Sequence, residues 1–442
     1  MRSITRKFQL LFIVAALAVA GLASCSKDNQ AEVIVPQILA PGLQNGYDTI
    51  KVGDTRVISP ELANVKNPTF QWLVNGVQVS TDSIYTFTPT EQGNYTISYK
   101  IISGNSMAVF YYRIKVEGKF ENGFFLINEG QYGVSPGDVN FYRNGEDSVY
   151  QYVFARNNPG KTLGTTTEYG AFYNNRLYLI SKQGPFVVAD ASTMKEVGRI
   201  NQLPKDGNAF CAINSNTGLI STIDGIYPLN LQSLTLGSKI AGINGEVGGM
   251  VNTSTYIFVL SETSGLLALN PSNYSIVKNF GKADIGFAVT PDGTIWAARD
   301  TYLFNINPEN LKIDTVNIPF PVYASWGFWN PGMLSASTSE NAVFIGKTNS
   351  WLEEGREIYK YSVGVPSSLQ TPFITIAAGT QLYGAGFRNN PVNNTLVVTS
   401  LKTPYANNNQ NTLGIYDATT GALKKNVSYV GFFFPAMPAF NR

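Results

Sequence analysis

From Gly123 onward one short strand recurs: an apolar run that stops on a polar residue just before a turn. It appears as Val139-Asn140-Phe141-Tyr142-Arg143, Phe186-Val187-Val188-Ala189-Asp190, Ile226-Tyr227-Pro228-Leu229-Asn230 and Leu266-Leu267-Ala268-Leu269-Asn270. It returns as Tyr302-Leu303-Phe304-Asn305-Ile306-Asn307, Glu357-Ile358-Tyr359-Lys360-Tyr361-Ser362 and Leu413-Gly414-Ile415-Tyr416-Asp417. The runs end at 143, 190, 230, 270, 307, 362 and 417, in steps of 47, 40, 40, 37, 55 and 55 residues. A unit of this size cannot bury its apolar faces alone and must pack on its neighbours. Seven such units, each with four strand-like runs, predict a seven-bladed β-propeller over residues 120–442. The second unit shows all four runs: Tyr169–Phe172, Arg176–Ile180, Phe186–Asp190 and Glu196–Ile200.

The two ends of this region complement each other. The first unit offers three strands, Gly123–Asn128, Asp138–Tyr142 and Ser148–Phe154, and lacks an inner one. After the seventh unit the chain still holds Val430-Gly431-Phe432-Phe433-Phe434-Pro435-Ala436. This C-terminal segment is expected to supply the inner strand of the first blade, closing the ring and removing two exposed sheet edges.

Residues 33–117 read as a separate all-β module. Thr69-Phe70-Gln71-Trp72-Leu73-Val74 leads into the turn Asn75-Gly76, and Gly93-Asn94-Tyr95-Thr96-Ile97-Ser98-Tyr99 follows. A Trp on a middle strand and a late Gly-Asn-Tyr-Thr-Ile resemble the PKD and immunoglobulin-like sandwiches of surface proteins. With no cysteine pair in the module, the likeness is to the PKD-like type, with Trp72 filling the core between sheets. The fold class is therefore all-β: an Ig/PKD-like β-sandwich followed by a propeller closed by a C-terminal inner strand. The sandwich is expected to act as a spacer.

Residues 1–24 carry Arg2, Arg6 and Lys7 with no acid, then an apolar run from Leu10 to Leu22, the pattern of a signal peptide. The end of that run, Leu22-Ala23-Ser24-Cys25, resembles a bacterial lipobox. The resemblance implies cleavage before Cys25, acylation of that cysteine, and a tether over residues 25–32. The membrane is then reached through the lipid anchor alone. Beyond residue 24 the chain has 29 basic against 30 acidic side chains, which gives no electrostatic reason to expect nucleic acid. Cys211 sits in an apolar strand and is expected to be inert core, leaving no intrachain disulfide.

The chain contains no histidine. Ser-His-Asp and Cys-His nucleophiles, HExxH zinc sites and axial His ligation by the protein are all excluded. Neither a DxDxDG-like calcium loop nor a phosphate-binding glycine motif beside a helix occurs, so no metal or cofactor is expected. Asp224, Glu262 and Asp300, from the turns of blades three to five, would ring the mouth of the channel. Glu353, Glu354 and Glu357, with Arg356 among them, form the one acidic cluster that glycoside chemistry could use. Neighbouring carboxylates on a loop are more often simply solvated, and no catalytic residue is assigned.

Within a blade of strands A to D, the A–B and C–D turns lie on one face, and the B–C and D–A connections lie on the other. The first set is short, as at Asn174-Asn175 and Thr419-Thr420-Gly421. The second set contains long, dissimilar loops: 129–137, 155–168, 319–331, 346–356 and 400–411. Long loops on a rigid scaffold are where binding usually sits. Trp326, Trp329 and Trp351 fall on or beside them with Tyr132, Tyr323 and Tyr405, near the amide run Asn407-Asn408-Asn409-Gln410. The candidate ligand-binding residues are Tyr132, Trp326, Trp329, Trp351 and Tyr405, whose flat rings suit a sugar face or a large planar ligand.

Phe125-Leu126-Ile127-Asn128-Glu129-Gly130-Gln131-Tyr132-Gly133 resembles the opening of a Bacteroidetes surface-lipoprotein propeller family, the DUF5074 or YncE-like proteins. Asn174–Ile180 and Ile415-Tyr416-Asp417 fit the same pattern. One branch of such proteins, the BtuG type, captures cobalamin on the outer face above a TonB-dependent transporter. The resemblance implies a non-enzymatic outer-membrane lipoprotein, exposed at the cell surface. It would bind a small nutrient on the loop face, a corrinoid first and a glycan second, and pass it to a TonB-dependent transporter. A carbohydrate-active propeller and an adhesion scaffold with a protein partner are the contrasting readings. The sandwich ahead of the propeller departs from the plain layout of an anchor followed by a propeller.

Overall fold

The computed structural model describes residues 35–322, 332–347 and 355–441. Two compact units divide the chain. One holds 35–48, 55–87 and 94–114; the other holds 49–54, 88–93 and the described residues from 115 onward.

The sandwich has a five-stranded sheet in the order Tyr47–Lys51, Ser106–Glu117, Gly93–Ser103, Thr69–Val74 and Val77–Ser80. Two small sheets accompany it, Gln37–Ala40 with Glu61–Ala63 and Arg56–Ile58 with Tyr85–Phe87. Trp72 is fully buried, stacked on Tyr99 at 4.1 Å between ring centres and 5.8 Å from Tyr112. Its indole N–H donates to the Asp82 carbonyl at 2.8 Å, so the ring is buried with its one polar atom satisfied. This is the core role expected of it.

The second unit is a ring of seven sheets. The innermost strands, in ring order, are Pro435–Ala439, Thr165–Tyr173, Gly207–Ala212, Val247–Asn252, Ile285–Val289, Leu334–Ala336 and Thr380–Asn390. Each packs against the next, and the last against the first. No single core holds this unit together. Each pair of neighbouring blades shares its own apolar cluster. Phe125, Phe141, Leu177 and Val187 lie between the first and second blades, and Trp296, Leu303, Val343 and Tyr359 between the fifth and sixth. Burying the face of one sheet therefore requires the next sheet to be present.

The polar residue that ends each repeated strand has a definite task. Asn307 Oδ1 accepts from the backbone N–H groups of Glu309 at 2.9 Å and Asn310 at 3.2 Å. Asp190, Asn230 and Asp417 do the same for the residues two and three places on. A short oxygen-bearing side chain thus closes the C–D hairpin by mimicking the backbone of a turn. The residue four places on is then forced into the left-handed region: Met194, Leu234, Tyr274, Leu311 and Gly421 all have φ between 53° and 75°. Only Gly421 takes that conformation without strain. Met194 and Leu311 are buried in the clusters between blades, so apolar burial offsets their backbone penalty. Blades one and six end this strand differently. Arg143 donates to the carbonyls of Lys119 and Glu121, and the Ser362 N–H donates to Ser368 Oγ.

Closure by the C-terminus occurs as expected, with a shifted segment. The strand that pairs with Gly123–Asn128 is Pro435–Ala439, matching Phe125 to Ala439 and Ile127 to Met437. Residues 431–434 are not part of it. Three consecutive phenylalanines would point alternately to both faces of a strand, and the structure instead places them in the connection on the long-loop side. The outer strand expected at Ser148–Phe154 reduces to a bridge between Phe141 and Tyr150, followed by a helix at Val153–Asn157. Asp138 organises this change, its carboxylate accepting from the N–H groups of Phe154 at 3.0 Å and Ala155 at 3.2 Å. Blade three likewise has three full strands, with only a Leu229–Leu236 bridge at its rim.

Candidate functional site

The long-loop face at the seam of blades seven and one carries an aromatic ledge. Glu129 and Gly130, which begin the loop bearing Tyr132, donate their N–H groups to the carbonyls of Phe434 and Phe433. The blade-one loop is thereby fastened to the closing segment. Tyr405 lies in a short turn, Tyr405–Asn407, with its ring 6.3 Å from Phe434. Phe434 in turn lies 6.5 Å from Phe432, and Phe433 stands 5.0 Å from Tyr152. Tyr132 and Tyr405 are 68% and 65% exposed, Tyr152 and Phe432 44% and 40%. Large rings left this accessible on adjoining loops mark a surface suited to contact with a ligand or partner. A small pocket of about 160 Å³ lies beside the ledge, between Gly130, Ser135, Tyr152, Phe432 and Phe433.

Of the five sequence-derived binding residues, Tyr132 and Tyr405 occur in this sector on loops of neighbouring blades. Trp326, Trp329 and Trp351 lie outside the described residues, as do Tyr323, Glu353, Glu354 and Cys25. Phe432, Phe433 and Tyr152 went unrecognised as loop-face residues because the first two were assigned to the closing strand and the third to an outer strand. The amide run contributes less than expected. Asn408 is buried, and Gln410 Oε1 accepts from Lys402 at 3.0 Å.

Deeper in the same face, a charged group surrounds the end of the channel. Tyr383 donates its hydroxyl to Glu129, whose carboxyl is buried. Burial raises the Glu129 pKa to about 7, against the lowering effects of the Tyr383 hydrogen bond and the Lys182 charge. Lys182 sits within the field of Glu168, Glu246, Asp206 and Glu129; its pKa is lowered by burial despite these carboxylates. Asn208 Nδ2 donates to Glu246 Oε1 at 3.1 Å, and burial raises the Glu246 carboxyl too.

The remaining acidic candidates are engaged in ion pairs or dispersed. Glu357 pairs with Lys347 at 2.7 Å, Asp224 with Lys239 at 3.1 Å, and Asp300 with Arg299 at 3.5 Å. Arg356 donates to the Ile376 carbonyl. Among the described residues no three Asp, Glu, Cys or His side chains converge closely enough to hold a metal ion. Cys211 is buried, and burial pushes its thiol up to about 12, which makes it inert as a nucleophile.

The family of unknown function DUF5074 matches residues 122–441, the whole ring from the first paired strand to the closing one. The chain belongs to this family. A PKD-like domain matches residues 36–103 of the sandwich. No curated protein matches the chain. Among solved structures, a quinonprotein alcohol dehydrogenase-like protein from Bacteroides thetaiotaomicron overlaps 92% of this chain and 99% of its own, at 22% identity and a TM-score of 0.59. At that identity the likeness shows the fold of this DUF5074 protein and nothing of its chemistry. Dihydro-heme d1 dehydrogenase NirN in complex with DHE overlaps 71% of the chain and 75% of its own, at 10% identity and a TM-score of 0.47. The WD40 propeller domain of Doa1 overlaps 63% and 91%, at 9% identity and 0.40. Among the described residues no helix is long and apolar enough to cross a membrane.

Proposed function

We propose that this DUF5074 protein is a non-enzymatic capture protein, lipid-anchored through Cys25 at the outer membrane. In this reading it binds a small nutrient on the long-loop face and passes it to a TonB-dependent transporter. The observation that carries the binding reading is the exposed ledge of Tyr405, Phe432, Tyr152 and Tyr132 on loops that a seven-sheet ring holds in place. Flat rings at the surface favour a broad, planar ligand, and a corrinoid is the first candidate; a glycan suits the same rings. The non-enzymatic reading is supported by the missing imidazole and by Glu357, Asp224 and Asp300, whose carboxylates are all engaged in ion pairs. The anchor and the transporter rest on the resemblance of Leu22-Ala23-Ser24-Cys25 to a lipobox and of the Glu129-Gly130 opening to surface propellers.

The test is calorimetric titration of the chain from Ser26 onward with cyanocobalamin. Stoichiometric, submicromolar binding is expected, weakened at least tenfold by Tyr405→Ala or Phe432→Ala and by Trp351→Ala. Absence of heat and of any spectral change with intact protein would remove the corrinoid. Binding of an oligosaccharide at the same ledge would then put a glycan in its place.

A further inference from the structure

A large cavity opens on the opposite face, where the short A–B turns lie. It holds about 680 Å³, within the range typical of sites for small organic molecules. Its walls come from the innermost strands of five blades, so it is the central channel itself and not a gap between loops. Phe172, Phe287 and Phe440 supply aromatic surface, and Asn174 and Asn441 supply amides at the rim.

The one cationic side chain lining this cavity is Arg388, near the end of the inner strand of blade seven. Its guanidinium donates to the Phe387 carbonyl at 2.8 Å and to the Gly332 carbonyl of the neighbouring blade at 3.2 Å. Among the described residues no carboxylate stands within ion-pairing distance of it. The Tyr169 phenol acts on its charge, but that hydroxyl is already committed to the Phe210 carbonyl at 2.9 Å. Enclosure by protein lowers the Arg388 pKa to about 10, a sign of how poorly the charge is solvated there. The carboxylates around Lys182 belong to the other end of the channel. Glu168 lies near the start of the inner strand Thr165–Tyr173, and Asp206 and Glu246 immediately precede the inner strands Gly207–Ala212 and Val247–Asn252, whereas Arg388 is near the end of Thr380–Asn390. A cation in a partly apolar channel, held only by carbonyls and with N–H groups left over, matches a carboxylate, whose two oxygens fit the guanidinium fork.

We propose that the central channel binds an aromatic carboxylate from the short-turn face, with the carboxylate on Arg388 and the ring among Phe172, Phe287 and Phe440. The site is separate from the long-loop ledge, and neither depends on the other. Arg388 also ties blade seven to blade six through Gly332, so loss of the side chain alone would not distinguish ligand binding from structural support. Discrimination between an acid and its amide does distinguish them.

The experiment titrates the chain from Ser26 onward with 2-naphthoate and, separately, with 2-naphthamide, following probe fluorescence at low ionic strength. The wild-type protein is expected to bind the acid at least tenfold more tightly than the amide. Arg388→Met is expected to bring the two within about twofold of each other, and Arg388→Lys to keep part of the preference. If Arg388→Met fails to fold, Phe287→Ala serves in its place: it should weaken both probes and leave the preference intact. Equal binding of acid and amide by the wild type, or no binding of either at millimolar concentration, would overturn the proposal. So would an acid preference that survives Arg388→Met.

Discussion

At the scale of the residue, the informative side chains are those whose environment opposes their chemistry. Glu129 is a carboxyl buried at the junction of the aromatic ledge and the channel, and its pKa of about 7 lies well above the ordinary value near 4.5. A raised folded-state pKa means that the fold favours the protonated form. The stability this confers is fully present below about pH 4.5 and is lost as the pH rises through 7. Glu129→Gln keeps an acceptor for the Tyr383 hydroxyl and never ionises. The melting temperature of the variant, relative to wild type, should therefore climb between pH 4.5 and 7.5 and level off above that. The full difference should be on the order of 3 kcal/mol. Parallel melting curves across that range would show that the carboxylate is accommodated in its ionised form. The same principle separates the paired acids from the buried ones: the neighbouring Lys424 ammonium and the turn N–H groups hold Asp417 far below the usual carboxylate range.

At the scale of the element, the repeat was legible because one hairpin is built the same way many times. Asp or Asn at the end of the third strand recurs because only a short oxygen-bearing side chain reaches the N–H groups two and three residues on. Asn307→Ala should remove two such hydrogen bonds and destabilise the propeller by about 1 kcal/mol in urea denaturation, with no change in the dependence on denaturant. A loss below about 0.3 kcal/mol would mean that water replaces the side chain without penalty. Where the hairpin departs from the rule, at Arg143 and Ser362, the spacing of the units also becomes irregular, and there the sequence was harder to read. The helix at Val153–Asn157 was unreadable for a different reason. Its first N–H groups are satisfied by Asp138, fifteen or more residues earlier, and a partner so distant leaves no local signature.

At the scale of the whole molecule, stability is shared around the ring. Each blade buries its faces against two neighbours, and the C-terminal strand completes the sheet that the first blade begins. Deleting residues 432–442 should expose the edge of Gly123–Asn128 and, by removing Phe433, uncover the cluster of Phe124, Leu126 and Leu413. A melting temperature lowered by more than about 10 °C, with self-association in size-exclusion chromatography, is the expected result. A truncated protein that stays monomeric and melts as before would mean that the ring does not rely on this strand.

The sequence by itself determined the two-module all-β organisation, the number of blades, the closing role of the C-terminus and the burial of Trp72. All of these follow from strand periodicity and local turn chemistry, which short stretches of chain record. Tertiary structure decided which segment closes the ring, because the pairing of Pro435–Ala439 with Gly123–Asn128 joins residues about three hundred positions apart. It also decided the sites. Tyr405 and Tyr152 share a ledge, and Arg388 faces Phe172, Phe287 and Phe440, only because seven sheets radiate from one axis. A channel is a property of the closed ring, and no single blade encodes it.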